Sequence, residues 1–195
     1  MSENAKGAAL ITGAAHRIGR AIASELGRQG RPIAVHYGAS KAAAEDTVGE
    51  IERDGGHAVA LGADLAREEQ VRALLPAAEA ALGPIDCLIN NAAAFERDSV
   101  ANATRASWDA HMETNLRAPF VLIQTMAERL PERRTGNVIN ILDERVWNLT
   151  PHFVSYTLSK SALWSLTQTM ALALAPHTRV NGIGPGPTLP SPRQS

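Results

Sequence analysis

The chain has 195 residues, of which 45% are hydrophobic and 20% charged, and its formal net charge is −1. This balance excludes an intrinsically disordered protein and predicts one globular domain spanning residues 1–195. The near-zero charge excludes strong electrostatic attraction to nucleic acid or to an anionic membrane.

The cysteine content and the N-terminal residues bear on disulfides, metal sites and cellular location. Cys87 is the single cysteine, so neither a disulfide framework nor a cysteine-based metal site is expected, and no metal is predicted. Residues 1–6 are polar and do not form a signal peptide, and no apolar run approaches the length of a membrane span. A cytoplasmic location is therefore expected.

Short apolar runs alternate with longer helical stretches along the chain. The predicted strands are Ala8–Thr12, Pro32–His36, Ala58–Leu61, Ile85–Ile89, Asn137–Leu142 and Arg179–Ile183. The predicted helices are Ile18–Gln29, Lys41–Arg53, Glu68–Leu82, a long one from about Thr104 to Leu130, and Phe153–Ala175. This alternation indicates βαβ units and a Rossmann-like, doubly wound parallel sheet of six strands, an α/β fold. The Pro-rich end that follows can be neither helix nor central strand, and its last residues are expected to be mobile.

The segment Thr12–Gly19 follows the first strand and opens the first helix. Glycines in such a turn let a pyrophosphate approach the helix N-terminus closely. Gly13 and Gly19 are two of the usual three glycines, and Arg17 stands at the middle position. The favoured interpretation is a dinucleotide site, and the alternative is a plain turn.

The end of the second strand favours NADP(H) over NAD. A site for NAD places an Asp or Glu there to bind the ribose 2′-hydroxyl, whereas the segment 35–41 has no acid. Arg17 and Ser40, with His36 or Lys41, are predicted to surround a 2′-phosphate instead. For Lys41, a solvated residue in the first turn of a helix is an equally good explanation.

Tyr156 and Lys160 lie four residues apart on the last predicted helix, so phenol and ammonium share one face. Lowering a phenol pKa from about 10 to about 7 takes ~4 kcal/mol. An ammonium about 4 Å away supplies roughly that much at an effective dielectric constant of about 20. The pair is therefore predicted to transfer protons near neutral pH. Asp143, thirteen positions before Tyr156, is the unusual third member.

Together these motifs resemble the short-chain dehydrogenase/reductase family over essentially the whole chain. The matching residues are Thr12, Gly13, Gly19, Asp64, Leu65, Asn90, Asn91, Ala92, Asn115, Tyr156, Lys160, Asn181, Pro185 and Gly186. Within the family the chain looks most like pteridine reductases and bacterial dihydromonapterin reductases, because Asp143 stands where most members have a catalytic Ser. The segments Thr12–Gly19, His36–Ser40 and Asn91–Phe95 are also similar to that branch.

The resemblance implies three sets of site residues. The implied catalytic residues are Asp143, Tyr156, Lys160 and Asn115, with Asn115 supporting a water that leads to Lys160. The implied cofactor site comprises Thr12, Gly13, Arg17, Ile18, Gly19, His36, Tyr37, Ser40, Asp64, Leu65, Asn91, Ala92, Ala93, Tyr156, Lys160, Pro185 and Gly186. The implied substrate residues are Phe95, Asp143 and Tyr156, with a pterin ring between Phe95 and the nicotinamide.

Several of these residues have simpler explanations. Asp64 could cap the third helix, Asn115 could be bonded within its own helix, and Phe95 could be a core aromatic residue. Trp147 and His152 lie between Asp143 and Tyr156, within reach of a substrate, but packing of their loop is the favoured explanation for both.

The function expected from the resemblance is NADPH-dependent reduction of a pterin or related heterocycle, of the dihydromonapterin or dihydrofolate type. NADPH would supply hydride while the Tyr156–Asp143 pair relays the proton. The alternatives are a carbonyl reductase of the same family and an inactive nucleotide-binding or oligomer-partner protein. The resemblance also predicts a homo-oligomer, either a dimer or a tetramer.

Two departures from the family are evident. Ala93 stands where pteridine reductases often have a Ser that contacts cofactor and pterin. Family members also continue beyond the position of Ser195 with a substrate-covering lid and a seventh strand. Both are expected to be missing here, which would impair activity and leave the sixth strand as an exposed edge.

Overall fold

The computed structural model describes residues 7–188. Its strands are β1 Ala8–Ile11, β2 Ile33–Tyr37, β3 Ala58–Gly62, β4 Ile85–Asn90, β5 Gly136–Ile141 and β6 Thr178–Ile183. Its α-helices are α1 Arg17–Arg28, α2 Lys41–Arg53, α3 Glu68–Leu82, α4 Arg105–Met112, α5 Ala118–Arg129 and α6 Val154–Leu174. The expectations for Met1–Lys6 and for residues 189–195 lie outside the described residues.

The strands form one parallel sheet in the order β3-β2-β1-β4-β5-β6. Ile11 of β1 lies opposite Val35 of β2 on one side and Ile89 of β4 on the other. The direction in which strands are added reverses between β1 and β4, and that reversal opens a crevice at the carboxyl ends of the strands. The predicted Rossmann-like fold is confirmed, and β6 lies at an edge of the described sheet.

Helices cover both faces of the sheet, which is why its central strand β1 reads as a continuous apolar run. On one face, Leu10 and Leu88 pack with Leu122 of α5 in a cluster that also includes residues of α3 and α6. On the other face, Ile11 packs in a cluster with Ala23 of α1. The central strands are thereby fixed, and the loops at their carboxyl ends stand on a rigid base. No helix within residues 7–188 is long and apolar enough to cross a membrane.

The single helix predicted from about Thr104 to Leu130 is wrong in one respect. Thr104 begins α4 with a capping box to Ser107, but a π-helical turn, Glu113–Arg117, separates α4 from α5. Pro119 has no N–H to donate to the carbonyl four residues earlier, that of Asn115, so regular α-helical bonding fails at this point. Single π turns often occur at functional sites, and this one contains a residue predicted to be catalytic.

Candidate active site

A cleft of about 770 Å³ opens beside the reversal of strand order between β1 and β4. The sequence-predicted residues that line it are Gly13, Arg17, Ile18, Gly19, Asn91, Ala92, Ala93, Phe95, Asp143, Tyr156, Lys160, Pro185 and Gly186. They come from the segments after β1, β4, β5 and β6 and from the first half of α6. The predicted residues that do not line it are Thr12, His36, Tyr37, Ser40, Asp64, Leu65 and Asn115.

The turn after β1 requires left-handed backbone at two positions. Gly13 has a φ of 63°, and a Cβ added to it would lie 3.0 Å from the Cα of Ala92, so both conformation and space require glycine. Arg17 has a φ of 48° at the position of the middle glycine of the motif. A non-glycine residue in this conformation is strained, and such strain clusters at functional sites.

The first turn of α1 is suited to an anion. His16, its N-cap residue, makes no capping hydrogen bond with its side chain. The N–H groups at a helix N-terminus and the helix dipole attract negative charge. A Cβ on Gly19 would lie 2.3 Å from the carbonyl oxygen of Gly13, so the helix starts in close contact with the loop. This arrangement fits a dinucleotide pyrophosphate better than it fits a plain turn.

Thr12 and Asn91 fasten the loops after β1 and β4 to each other. The Thr12 hydroxyl oxygen accepts from the backbone N–H groups of Asn91, at 2.9 Å, and Ala92, at 3.0 Å. The Asn91 side-chain amide donates to the carbonyls of Thr12, at 2.8 Å, and Gly13, at 3.1 Å. These bonds hold the floor of the cleft in place, so Thr12 supports the cleft without lining it.

His36 corrects one expectation for the 2′-phosphate. Its ring is buried, its Nδ1 accepts from the backbone N–H of Gly13 at 3.1 Å, and its Nε2 lies 3.1 Å from the carbonyl oxygen of Ala63. Burial lowers its pKa, while the bond to Ala63 opposes the change. Because both ring nitrogens bond to backbone, the side chain supports the phosphate loop and does not face a 2′-phosphate.

The other residues at the end of β2 are solvent-accessible to different degrees. Ser40 is exposed at the N-cap of α2 and makes no capping bond with its side chain, whereas Tyr37 is half-buried against Gly62. Lys41 is exposed, with its Nζ 3.6 Å from the Glu45 carboxylate one turn along the helix. This pairing favours the solvated-residue explanation for Lys41.

Asp64 and Leu65 follow β3 and have separate environments. The Asp64 carboxylate accepts from the backbone N–H of Ala66 at 2.9 Å, and the N-cap of α3 is Arg67. Asp64 therefore stabilises a turn before the helix rather than capping the helix itself. The Leu65 side chain is buried in the core, so only its backbone is available for the predicted cofactor contact.

Asn115 links three parts of the structure through its fully buried side chain. Its amide donates to the Ala94 carbonyl and to the Ser159 hydroxyl, both at 3.0 Å, and its oxygen accepts from the Ala94 N–H at 2.8 Å. The alternative of a locally bonded helical residue is wrong. Asn115 holds the first residue of the Phe95 segment, residues 94–98, and connects it to α6.

Asp143 directly contacts Tyr156. The Tyr156 hydroxyl donates to Asp143 Oδ2 at 2.8 Å, while Asp143 Oδ1 accepts from the backbone N–H of Arg145 at 2.9 Å. The Arg145 guanidinium lies 3.3 Å from the same Oδ1. The carboxylate thus lies between a phenol and a guanidinium at the wall of the cleft.

The expected lowering of the Tyr156 pKa by Lys160 is wrong in this arrangement. Burial raises the pKa of Tyr156, and the charge and hydrogen bond of Asp143 raise it further, with only Arg145 opposing them. The Lys160 ammonium donates to the carbonyl of Ile141 at 2.7 Å and lies 6.0 Å from the centre of the Tyr156 ring. Tyr156 is therefore held protonated at neutral pH, ready to donate rather than to accept a proton.

Lys160 is an almost completely buried cation, and burial lowers its pKa from 10.5 to about 8 although Asp143 opposes this. A folded-state pKa below the unfolded one means that the unfolded chain binds more protons between these values, so stability rises with pH across that window. The penalty of burying the ammonium is complete below about 8 and is relieved towards 10.5.

We expect Lys160→Met to abolish this pH dependence. Denaturant unfolding from neutral pH to pH 10.5 should show the wild type gaining up to about 3 kcal/mol on the variant. Lys41→Met, the same change at an exposed lysine, is the matched control and should follow the wild-type profile. A constant difference between wild type and Lys160→Met would show that Lys160 does not titrate in this window.

Two cleft residues that pack against Phe95 were missed by the sequence prediction. Phe153 stacks on Phe95, with ring centres 4.8 Å apart and planes 9° apart, and has a φ of 60° at the N-cap of α6. The Arg145 guanidinium lies 4.9 Å from the centre of the Phe153 ring and 5.5 Å from that of Phe95. Proximity to Asp143 was the signal for Arg145, whereas nothing in the sequence distinguished Phe153.

Phe95 lies at the centre of this aromatic group rather than in the core. Its ring meets Tyr156 edge to face, with centres 4.6 Å apart. His152 also lines the cleft, whereas Trp147 is exposed and packs against Trp164. Within residues 7–188, no cluster of three or more His, Cys, Asp or Glu residues is suited to hold a metal ion.

Comparison with known proteins identifies the family. The profile described as short chain dehydrogenase matches residues 7–195. The chain belongs to the short-chain dehydrogenase family. Among curated members, it is 35% identical over 179 residues to a 2-dehydro-3-deoxy-D-gluconate 5-dehydrogenase of Formosa agariphila, covering 91% of this chain and 68% of that protein. It is 32% identical to the 3-oxoacyl-[acyl-carrier-protein] reductase FabG of Staphylococcus epidermidis, covering 91% of this chain and 73% of that protein.

One solved structure is more similar to this chain in sequence than these two relatives. It is the FolM alternative dihydrofolate reductase 1 of Brucella canis, complexed with NADP. The two chains are 46% identical with a TM-score of 0.91, over 96% of this chain and 75% of that one. A blue fluorescent protein from a metagenomic library, in complex with NADPH, is 34% identical with a TM-score of 0.88, over 95% of this chain and 76% of that one.

Proposed function

We propose that the protein is an NADPH-dependent reductase of a pterin or a closely related flat heterocycle. The observation that carries this proposal is the 2.8 Å hydrogen bond from Tyr156 to Asp143 beside the aromatic ring of Phe95. A carbonyl substrate presents a single reacting oxygen, so the hydrogen-bonding groups of a carbonyl reductase need to face only that oxygen. A carboxylate paired with a phenol can in addition face a ring N–H or exchange a proton with a ring nitrogen.

The residues of the cleft fit NADP(H). The uncapped first turn of α1 and the Gly13–Gly19 contact suit the pyrophosphate, and the acid-free end of β2 suits a 2′-phosphate. Structures similar to this chain contain NADP or NADPH. NADP(H), when bound, supplies the hydride. Arg17 and Ser40 would bind its 2′-phosphate, and Lys160 would hold the nicotinamide ribose.

The chain's own residues orient the substrate and move the proton. Phe95 offers an aromatic face, and Asp143 fixes the heterocycle through its ring nitrogens. Tyr156 then turns its hydroxyl from Asp143 Oδ2 towards the substrate nitrogen and donates its proton. The hydrogen bond from Tyr156 to Asp143 joins the two residues into one proton-relay pair.

A carbonyl compound is the second candidate substrate. The names of two similar proteins, a 2-dehydro-3-deoxy-D-gluconate 5-dehydrogenase and a 3-oxoacyl-[acyl-carrier-protein] reductase, describe the interconversion of alcohols and carbonyl compounds. The test is NADPH oxidation with dihydromonapterin, dihydrobiopterin and dihydrofolate beside an acetoacetyl thioester and simple ketones. We expect a dihydropterin to give the highest kcat/KM. Reduction confined to the carbonyl compounds would overturn the proposal. A rise in Tm with NADPH and no turnover of any compound would favour the inactive nucleotide-binding protein.

Arg17→Gly should separate the phosphate contact from the backbone requirement. Glycine accepts the φ of 48° without strain, so the loop keeps its shape while the guanidinium is lost. We expect the Kd for NADPH to rise by about 10- to 100-fold, as for loss of a charge-assisted hydrogen bond. The Kd for NADH, measured by the same fluorescence titration, should change little. Equal weakening of both nucleotides would place Arg17 on the pyrophosphate instead.

A further inference from the structure

Behind the aromatic residues of the cleft, Phe95, Phe153 and Tyr156, lies a buried network of hydrogen-bonded polar side chains that joins three elements. It consists of Asp98 from the Phe95 segment, Ser155 at the start of α6, and His111 in the last turn of α4. All three residues are buried, and His111 and Ser155 are completely so. None lines the cleft, and the proton transfer described above does not use them.

The donor and the acceptor of each hydrogen bond in this network can be assigned. The backbone N–H of Glu96 donates to His111 Nε2 at 3.0 Å, so Nε2 carries a lone pair and no proton. In a neutral ring the proton is then on Nδ1, which donates to the Ser155 hydroxyl oxygen at 2.7 Å. Ser155 in turn donates its hydroxyl proton to Asp98 Oδ2, and the Asp98 carboxylate also accepts from the Ser155 N–H at 3.3 Å.

Side chains hold the backbone of the Phe95 segment on both sides of Phe95. Asn115 bonds Ala94 before it, and His111 bonds the N–H of Glu96 directly after it. The carbonyl of Asp98 also accepts from the N–H of Phe153 at 2.8 Å, in line with the stacking of Phe153 on Phe95. The orientation of the Phe95 ring against Tyr156 therefore depends on a segment whose backbone is held by His111.

We propose that His111 is a positioning residue, which as a neutral, Nδ1-protonated ring holds the Phe95 segment against Tyr156. This proposal rests on the proposed function only in taking the cleft as the substrate site. A second proton on His111 would sit on Nε2 and remove the acceptor of the Glu96 N–H. The groups that face the ring are Asp98 and Glu96 from the Phe95 segment, the backbone of Ser107 in α4, and Ser155 and Tyr156 of α6. The centre of the Tyr156 ring lies 5.9 Å from that of His111.

The charge state of the ring agrees with this role. Burial lowers the pKa of His111, while Asp98, Glu96 and the backbone of Ser107 oppose that change. The ring is consequently neutral at physiological pH, and the Glu96 bond is intact there.

Three substitutions separate the two bonds of His111. His111→Gln keeps an acceptor near the position of Nε2 and so can hold the Glu96 N–H. His111→Asn keeps a donor near the position of Nδ1 but loses that acceptor. His111→Phe removes both while retaining an aromatic ring. Thr125→Ala, a buried change on α5 that removes only a bond to the Val121 carbonyl, is the control for general loss of stability.

The first test does not depend on activity. Nitrogen-15 NMR of the histidine side chains should show His111 as the Nδ1-protonated tautomer, and nuclear Overhauser contacts should join the Phe95 and Tyr156 rings. These contacts should persist in His111→Gln and be lost in His111→Asn and His111→Phe. An Nε2-protonated ring, or ring contacts unchanged in His111→Phe, would overturn the proposal whatever the substrate proves to be.

The second test uses the substrate that the protein reduces best. His111→Phe should raise its KM by about tenfold, as for loss of an aromatic contact, with the Kd for NADPH unchanged. His111→Gln should restore most of the KM, and Thr125→Ala should leave it at the wild-type value even if Tm falls. A KM that follows Tm across all four variants would show that His111 is merely structural.

Discussion

Replacing Tyr156 with Phe will lower kcat for reduction of the heterocyclic substrate by about 10³-fold, which is typical for loss of a general acid. The ring and its contacts with Phe95 remain, so the change removes only the hydroxyl that donates to Asp143 at 2.8 Å. The affinity for NADPH should be nearly unchanged, because Lys160 is anchored on the Ile141 carbonyl rather than on the phenol. Stopped-flow measurement of NADPH oxidation and a fluorescence titration of NADPH binding give the two quantities.

A double-mutant cycle shows whether Tyr156 and Asp143 act as one unit. Groups that share a proton lose most of their joint effect when either is removed. We therefore expect Tyr156→Phe combined with Asp143→Asn to be little slower than Tyr156→Phe alone. Independent, multiplying losses in kcat would mean that Asp143 acts on the substrate separately from Tyr156.

The fold could be predicted from the sequence because its strands are buried on both faces. The central strand β1 is an uninterrupted, fully buried apolar run, and the alternation of strands with helices leaves few topologies. The π turn was missed because apolar residues continue at helical spacing from α4 into α5. Pro119 was the available signal, since its missing N–H falls one turn after Asn115.

Most of the residues predicted from the sequence line one cleft, but the electrostatics of that cleft were not predicted. The spacing of Asp143 and Tyr156 indicated their contact, whereas the direction of the Tyr156 pKa depends on burial and on where the Lys160 side chain points. His36 was placed at a phosphate because its position in the sequence gives no information on whether its ring faces outwards. Phe153 lies close to Phe95 only through tertiary packing across 58 positions of sequence, so no local pattern could reveal it.

The chemistry of Asp143 is tested by Asp143→Ser, which restores the residue type common in the wider family. We expect turnover of a dihydropterin to fall by more than about 10²-fold, because serine can neither hold a charge beside a ring N–H nor share a proton with the phenol. The Kd for NADPH should be nearly unchanged. Turnover of a ketone should persist, since a serine hydroxyl can donate to a carbonyl oxygen.

The same substitution gives a prediction for Tyr156 that does not depend on any substrate. The charge of Asp143 and its hydrogen bond both raise the pKa of Tyr156, and Arg145 lowers it. Burial still raises the pKa of Tyr156 once the carboxylate is removed, but the two contributions of Asp143 are lost while Arg145 still lowers it, so the pKa of Tyr156 should fall. Ultraviolet difference titration can follow the change, because Tyr37 is the other of the two tyrosines in the chain.

Asp143→Asn distinguishes charge from shape at this position. The amide keeps an oxygen that can accept from Tyr156, but it carries no charge and cannot pass on a proton. We expect Asp143→Asn to lose dihydropterin reduction as Asp143→Ser does, while differing from it in ketone turnover because the larger amide remains beside Tyr156. Survival of dihydropterin reduction in either variant would show that the proton reaches the ring nitrogen without Asp143. Tyr156 would then be the sole donor, and dihydropterin reduction would need no carboxylate at this position.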